Sequence, residues 1–183
     1  LLPLSPLFAA AVGLLALAVL VLDGRPVFFR QPRVGVGGRE FTVLKLRTMT
    51  CEPDPRSRRP TRLGAWLRQR GLDELPQLFN VLRGDMSLVG PRPLTPADAA
   101  RLTALHPPFA ARFAGQPGLT GLAQVCLAEG PALTAELDAA YLERRSAALD
   151  LRILLRTAWM NLVGKRRGAR PRPTFLDVRE PTG

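Results

Sequence analysis

The sequence contains few aromatic residues, only two cysteines and a single histidine. Aromatic residues make up 6% of the 183 positions, so a nucleic-acid surface built from stacked aromatic side chains is not expected. Cys51 and Cys126 are far apart and fit no metal-binding spacing, which excludes a disulfide scaffold and a cysteine zinc site. We expect two reduced thiols, as in a protein that faces the cytosol. His106 precedes two prolines and is expected at a helix end, outside catalysis.

Acidic residues are outnumbered by basic ones. The 26 basic and 15 acidic residues give a net charge of +11, and the only lysines are Lys45 and Lys165. A surplus of arginine suits nucleic acid, anionic lipid or phosphorylated substrates. The sequence shows no helix-turn-helix pattern, so nucleic acid is not an expected partner. With 46% hydrophobic and 22% charged residues, the composition is that of a folded domain and excludes wholesale disorder.

Charge is absent from the first 22 residues. Residues 7–22 form an uninterrupted apolar run of 16 residues, which as a helix is about 24 Å long, against a hydrocarbon core of roughly 30 Å. The cationic start and the cleavage site of a signal peptide are missing. A buried helix of a soluble core is one interpretation. We favour a membrane-inserted helix over residues 1–24 that does not cross the bilayer straight through.

The rest of the chain is predicted to form a cytosolic catalytic domain over residues 25–163, followed by a basic, flexible tail over residues 164–183. The predicted fold is mainly α with one small β-hairpin, formed by residues 26–46 around a glycine-rich turn. Prolines and arginines predict a loop over residues 50–62. Helical patterns cover residues 63–70, 73–82, 94–106 and 133–162, with a short helical segment after Pro108, and residues 115–125 are expected to be loop or strand.

The segment from Asp73 to residue 82 has a clear helical phase. Pro76 is tolerated only near a first turn, so the helix is predicted to start at about Asp73. Asp73, Gln77 and Asn80 share one polar stripe, and Glu74 lies about a quarter turn from Asp73. The opposite, apolar face carries Leu75, Leu78, Phe79 and Leu82.

Two positions in this region suit phosphate chemistry. Asp73 would stay ionised at a helix N-terminus, which a carboxylate nucleophile requires, but a simple helix cap explains the same residue. Arg92 stands between Pro91 and Pro93, which would hold its guanidinium stiffly for a phosphate. A surface arginine in a turn is the alternative.

Six motifs in one order carry a family resemblance. They are PVFFRQ (residues 26–31), KLRTM (45–49), LDELPQLFNVL (72–82), GDMS (84–87), VGPRP (89–93) and PGLTGLAQV (117–125). Together they resemble the bacterial sugar transferases, the small monotopic phosphoglycosyl transferases, over residues 5–164. The order of all six makes this resemblance far more specific than any single motif.

The resemblance implies a reaction at the cytoplasmic face of the bacterial inner membrane. Such enzymes transfer a phosphosugar from a UDP-sugar to a polyprenyl phosphate, such as undecaprenyl phosphate, in the first membrane step of glycoconjugate assembly. By this resemblance Asp73 attacks the β-phosphate, UMP leaves, and a phosphosugar-aspartyl intermediate passes to the acceptor. Glu74 is its acid/base or positioning partner. Mg²⁺ is the implied cofactor and is expected at Asp73.

The resemblance also implies binding residues and a membrane arrangement. Lys45, Arg68, Arg92 and Asp150 match family positions and are expected to bind substrate or phosphate. The Ser5–Pro6 pair resembles the break of a re-entrant membrane helix, and amphipathic helices are expected to lie against lipid headgroups. The sugar and the oligomeric state, a homodimer included, are left open.

Three departures from the family pattern accompany the resemblance. Only residues 1–4 precede Ser5, so we expect either that the true start lies upstream or that the membrane hairpin is incomplete. Residues 126–130 read CLAEG, where the family has an Asn-Gly-Arg run, and Gln116 replaces a basic residue. Arg112 or Arg144 could substitute for the missing arginine. These departures motivate the alternative that the chain is a non-catalytic, membrane-associated scaffold of the same pathway.

Overall fold

A computed structural model of the chain describes residues 5–54 and 56–163. The predicted tail over residues 164–183, and residues 1–4 of the predicted re-entrant hairpin, lie outside the described residues. The helices are α1 Ser5–Asp23, α2 Arg62–Arg70, α3 Leu78–Arg83, α4 Pro96–Leu105, α5 Leu122–Val125, α6 Pro131–Arg144 and α7 Ala147–Val163, with 3-10 helices at Val36–Gly38, Leu72–Gln77 and Pro107–Ala114. The strands are β1 Phe28–Val34, β2 Glu40–Leu46, β3 Ser87–Val89 and β4 Gly118–Thr120. The mainly helical prediction is confirmed.

Helix α1 is apolar and largely exposed. Among the described residues it is the one helix whose length and composition would let it cross a membrane. Only 11% of residues 6–23 are buried, and Leu7 and Val21 are each more than 70% exposed. Val19, in contrast, packs with Leu46 and Leu67 in a small apolar cluster. This exposure does not fit the core helix of a soluble protein.

The predicted β-hairpin is confirmed. Strands β1 and β2 pair antiparallel from Phe28 opposite Leu46 to Val34 opposite Glu40. Gly37 and Gly38 in the connecting turn have φ angles of +63° and +79°, a backbone that side chains with a Cβ rarely adopt. The hairpin fixes the position of Lys45, one residue before the end of β2.

Arg47 joins the hairpin to the end of α1. Its guanidinium donates hydrogen bonds to the carbonyl groups of Asp23, Gly24 and Pro26. A cation at the C-terminus of a helix also offsets the partial negative charge of the last carbonyl groups. The apolar helix α1 and the strand that carries Lys45 are therefore held as one unit.

A second pair of strands was not predicted as such. β3 pairs parallel with β4, with Ser87 opposite Gly118 and Val89 opposite Thr120. A Cβ atom on Gly118 would collide with the backbone of Gly90, so this close approach requires glycine. Three-residue strands such as β3 and β4 are too short for hydrophobic periodicity to reveal them in the sequence.

The single helical pattern over residues 133–162 is two helices. Ser146 lies between α6 and α7, and its hydroxyl accepts a hydrogen bond from the Leu149 amide. Tyr141 of α6 donates to Asp150 of α7 at 2.8 Å and contacts the carbonyl of Val89 at 3.1 Å. Serine caps helices, so the boundary needs neither proline nor glycine. The main apolar core lies here, where α5, α6 and α7 meet β3.

Candidate active site

Three separate elements meet at Glu74. Lys45 comes from β2, Glu74 from the 3-10 helix Leu72–Gln77, and Arg92 from the segment after β3. The Lys45 Nζ donates to Glu74 Oε1 at 2.7 Å, and the Arg92 Nη2 donates to the same oxygen at 2.8 Å. We call Lys45, Glu74 and Arg92 the Glu74 cluster. One carboxylate oxygen is thus engaged by two cations.

This arrangement keeps Glu74 ionised. Burial alone would raise the pKa of its carboxyl, but the charges and hydrogen bonds of Arg92 and Lys45 lower that pKa to about 2. For Lys45, burial lowers the pKa of its ammonium more than Glu74 raises it. A carboxylate with such a pKa is a poor general base and a good fixed charge, so Glu74 serves best as a positioning group.

Asp73 has a different environment. It is 8% exposed, and its pKa is raised by burial first and by the neighbouring Glu74 charge second. Lys45 and Arg68 act in the opposite direction. In the described part of the chain, Asp73 forms no ion pair. A helix dipole would lower the pKa of Asp73, so the observed shift is opposite to the expected one. The reason is that Asp73 lies in a short 3-10 turn and loses water around it.

The polar stripe of this segment faces inward. Asp73, Gln77 and Asn80 are all buried, whereas Phe79 and Leu82 are about 40% exposed. The predicted phase of the two faces is correct, but periodicity alone does not say which face turns to the interior. Asn80 is held by donating to the carbonyl of residue 42 at 2.8 Å.

The apolar face meets α1. The rings of Phe79 and Phe8 lie 5.3 Å apart in an edge-to-face arrangement, which is favourable for aromatic pairs. The exposed apolar residues of α3 therefore extend the apolar surface of α1.

Two further arginines hold the backbone around Arg92: Arg112, considered from the sequence only as a substitute for the missing family arginine, and Arg33, which the sequence analysis did not assign to the site. Arg112 Nη2 donates to the carbonyl of Arg92 at 2.8 Å, and Arg33 Nη1 donates to the carbonyl of Pro93 at 3.0 Å. Arg33 follows the PVFFRQ motif at the end of β1. The sequence does not single out Arg33, because arginines are abundant throughout the chain.

Arg112 is paired with a buried carboxylate. Its Nη2 lies 3.0 Å from Asp138 Oδ2, and both side chains are almost fully buried. The approach does not make a hydrogen bond, so Oδ2 has no hydrogen-bond donor within the described residues. Burial raises the pKa of Asp138 to about 6, against the opposing charge of Arg112. The suggestion that Arg112 replaces the missing family arginine does not fit this pairing.

Two predicted residues lie apart from the Glu74 cluster. Arg68 is exposed on α2 and acts on Asp73 through its charge, without a hydrogen bond to the cluster. Asp150 lies in the first turn of α7 and accepts the Tyr141 hydroxyl. The structure thus brings together Asp73, Glu74, Lys45 and Arg92 among the predicted residues. The roles of all six remain predictions.

A cavity of about 690 Å³ opens beside Glu74 and Arg92. Residues 126–130, where the resemblance implies an arginine that this chain lacks, contribute Leu127, Ala128 and Gly130 to its wall. In residues 5–54 and 56–163, no group of three or more His, Cys, Asp or Glu side chains is placed to hold a metal ion. A cation at Asp73 would therefore need oxygen ligands from substrate or water.

The order of motifs along the chain and the meeting of three of them at Glu74 agree with one family. The profile of the bacterial sugar transferases matches residues 1–164. The chain belongs to the bacterial sugar transferase family.

Three relatives of this bacterial sugar transferase have names that include undecaprenyl phosphate, a lipid acceptor. A UDP-glucose:undecaprenyl-phosphate glucose-1-phosphate transferase of Caulobacter vibrioides is 47% identical over 169 residues, covering 84% of this chain and 63% of that protein. An undecaprenyl-phosphate glucose phosphotransferase of Komagataeibacter xylinus is 41% identical, covering 86% of this chain and 32% of that protein.

A third relative carries a different sugar in its name. It is a UDP-N-acetylgalactosamine-undecaprenyl-phosphate N-acetylgalactosaminephosphotransferase of Aeromonas hydrophila, 34% identical over 87% of this chain and 41% of that protein. The bacterial sugar transferase described here thus spans less than two thirds of the length of each of these three relatives. Their names agree on undecaprenyl phosphate and differ in the sugar.

Proposed function

We propose that this protein is a phosphoglycosyl transferase that moves a sugar 1-phosphate from a UDP-sugar to undecaprenyl phosphate and releases UMP. The observation that carries the proposal is the contrast between two adjacent carboxylates. Glu74 Oε1 is bound by both Lys45 and Arg92, while Asp73 forms no ion pair among the described residues. Family membership and the shared acceptor in the relatives' names support the reaction class.

In the first half-reaction, a carboxylate oxygen of Asp73 attacks the β-phosphorus of the donor. The new O–P bond replaces the bond between that phosphorus and the bridging oxygen, and UMP leaves with the bond's electron pair. A carboxylate whose pKa is raised is a stronger nucleophile when ionised, and burial of Asp73 acts in that direction.

In the second half-reaction, a phosphate oxygen of the acceptor attacks the same phosphorus. The Asp73 carboxylate leaves with the electron pair of the O–P bond and is regenerated, and the product is a lipid diphosphosugar. Glu74 holds Lys45 and Arg92 beside Asp73, where these cations would offset the charge that accumulates on the phosphoryl oxygens.

Mg²⁺ is the proposed cofactor, with Asp73 as its one protein carboxylate. Mg²⁺ is commonly held by one or two carboxylates together with substrate phosphates and water. The donor set fits that mode, because Glu74 is already engaged by two cations while Asp73 is not. When bound, the ion would withdraw charge from the diphosphate and favour departure of UMP.

We also propose that the protein works at the cytoplasmic face of the bacterial membrane. Helix α1 is apolar and exposed, and the exposed side chains of Phe79 and Leu82 lie on the neighbouring α3. An apolar helix joined to a further apolar face suits partial insertion beside the lipid headgroups. Donors with a diphosphate would approach from the water side.

The test is release of UMP by the detergent-purified protein with Mg²⁺, undecaprenyl phosphate and a panel of UDP-sugars. Asp73→Asn keeps the shape and removes the nucleophile, so release should fall to background with every donor. Asp98→Asn, a change at a half-exposed surface ion pair, should keep full activity. Transfer that persists in Asp73→Asn contradicts the aspartyl mechanism, and a wild-type protein without transfer supports the scaffold alternative.

A further inference from the structure

The cavity beside the Glu74 cluster is largely apolar. Aliphatic side chains of its wall come from the 3-10 helix before α3, from β3, from α4, from the segment after α5 and from α7. Representative lining residues are Leu75, Leu88, Leu102, Leu127, Leu154 and Met160. A volume of about 690 Å³ lies within the range of small-molecule sites.

Most polar groups in the wall are already engaged. Thr120 and Thr157 share a hydrogen bond of 2.7 Å between their hydroxyl groups, and Thr134 donates to the carbonyl of Gly130. Arg112 is bound to Asp138 and to the carbonyl of Arg92. Gln124 Oε1 is the one buried oxygen of the wall without a hydrogen-bond partner among the described residues, so the wall offers a sugar ring or a uracil base few hydrogen bonds in exchange for its water.

The charged side chains of the cavity wall are joined to one another, because Arg92 donates to Glu74 and Arg112 donates to the carbonyl of Arg92. Glu74 and Arg92 line the cavity, and Lys45 contacts the same Glu74 oxygen as Arg92 does. Two cations therefore face one carboxylate beside an aliphatic space. A molecule with a phosphate at one end and a hydrocarbon chain at the other matches this distribution.

Backbone strain marks the segment that closes the cavity. Leu127 has a φ of +52° and is the one non-glycine residue with a positive φ in residues 5–54 and 56–163. A branched aliphatic side chain is disfavoured in this conformation, and such strain gathers at ligand-binding segments. Leu127 lines the cavity and is 39% exposed.

We propose that this cavity holds the first isoprene units of the polyprenyl phosphate acceptor, with the acceptor phosphate at Arg92 and Lys45. The inference rests on the proposed function and adds to it the place of the lipid chain. The acceptor's hydrocarbon then leaves the bilayer at its phosphate end and packs between α4 and α7. Leu127 acts as a specificity residue that covers the chain.

The direct test is photo-labelling of the full-length wild-type protein in detergent. A geranyl phosphate with a terminal benzophenone should label peptides that contain Leu102, Leu127 or Met160, and excess undecaprenyl phosphate should reduce that labelling at least tenfold. Labels confined to α1 or α3 overturn the inference. Labelling of the same cavity peptides by 5-azido-UDP also overturns it, because the cavity would then hold the donor.

A variant pair tests the same inference by kinetics. Leu127→Asn keeps a residue that tolerates a positive φ but replaces the aliphatic surface, so the KM for undecaprenyl phosphate should rise roughly tenfold. Single-turnover release of UMP without acceptor should stay unchanged. Leu133→Asn makes the same change at an exposed position of α6 outside the cavity wall and should leave both quantities unchanged.

The outcomes separate the inference from the proposed function. A wild-type protein that transfers the sugar but is labelled outside the cavity contradicts the inference alone. A wild-type protein that neither releases UMP nor transfers the sugar contradicts the proposed function, and labelling still reports where an isoprenoid phosphate binds. An unchanged acceptor KM in Leu127→Asn, with normal single-turnover release, also contradicts the inference.

Discussion

Glu74 is partly buried and Asp138 is fully buried, and the pKa values of these two carboxyl groups are shifted in opposite directions. Glu74 lies in the candidate active site between Lys45 and Arg92, and its pKa is lowered to about 2. Asp138 lies on α6 against Arg112, and its pKa is raised to about 6. Burial acts in the same direction on both carboxyls. The difference lies in the partners: Glu74 has two cations and two hydrogen bonds, and Asp138 has one cation without a hydrogen bond.

The comparison shows that one cation does not compensate the burial of a carboxylate here. Desolvation of an ion costs several kcal/mol, and an ion pair repays it only with good geometry and further hydrogen bonds. At Glu74, the second cation makes the stabilisation of the carboxylate larger than the cost of its burial. Both sites share one chain of contacts, because Arg112 holds the backbone of Arg92, whose guanidinium binds Glu74.

The largest expected effect comes from breaking the Asp138 pair. Arg112→Met leaves a buried carboxylate without its cation, so the free energy of unfolding should fall by about 3–5 kcal/mol. Urea unfolding in detergent, followed by tryptophan fluorescence, measures this change. Because the double variant Arg112→Met with Asp138→Leu also removes the charge, it should recover most of the loss. Equal stability of the single variant and the wild type would contradict the account of Asp138.

The next largest effect is expected when Glu74, like Asp138, is left with a single cation. Lys45→Met leaves Glu74 with one cation, so UMP release should fall about 10²–10³-fold, the usual loss when a charge-stabilising group is removed. The acid limb of the pH profile should also move to higher pH, because the pKa of Glu74 rises. Arg83→Met removes a 76% exposed arginine and serves as the control. A wild-type rate and pH profile in Lys45→Met would contradict the proposed role of Lys45.

The smallest effect concerns stability against pH. The raised pKa of Asp138 means that the folded protein binds this proton more tightly than the unfolded chain does. Its contribution is fully present below pH about 4 and is lost as the pH rises through about 6. Relative to Asp138→Asn, the wild type should lose about 2 kcal/mol of unfolding free energy between pH 4 and 7.

Glu74 should show the reverse dependence. Its lowered pKa contributes stability that is present above pH about 4.5 and is lost as the pH falls toward about 2. Relative to Glu74→Gln, the wild type should therefore lose stability on acidification. Urea titrations of the two pairs of proteins at several pH values measure both trends, and parallel trends would contradict the comparison.

Much of the candidate site follows from sequence. The proline-flanked Arg92 and the acidic pair Asp73–Glu74 stand in motifs of fixed order, and the hairpin that carries Lys45 has a clear turn signal. The structure places Lys45 and Arg92 on Glu74, a contact that the resemblance did not specify. Asp150 accepts the Tyr141 hydroxyl, a contact that its motif does not indicate, and its substrate-binding role stays a prediction.

The sequence by itself determined the apolar helix, the hairpin, the phase of the Asp73 segment and the family, because these depend on neighbouring residues and on motif order. Only the tertiary structure decided that the polar stripe of Asp73 faces inward and that α6 and α7 are separate. It also decided that Arg112 is bound to Asp138 and that the wall beside Arg92 is aliphatic. The physical reason is that the direction of a helix face, the number of cations around a carboxylate and the loss of water at a side chain depend on residues far apart in the chain.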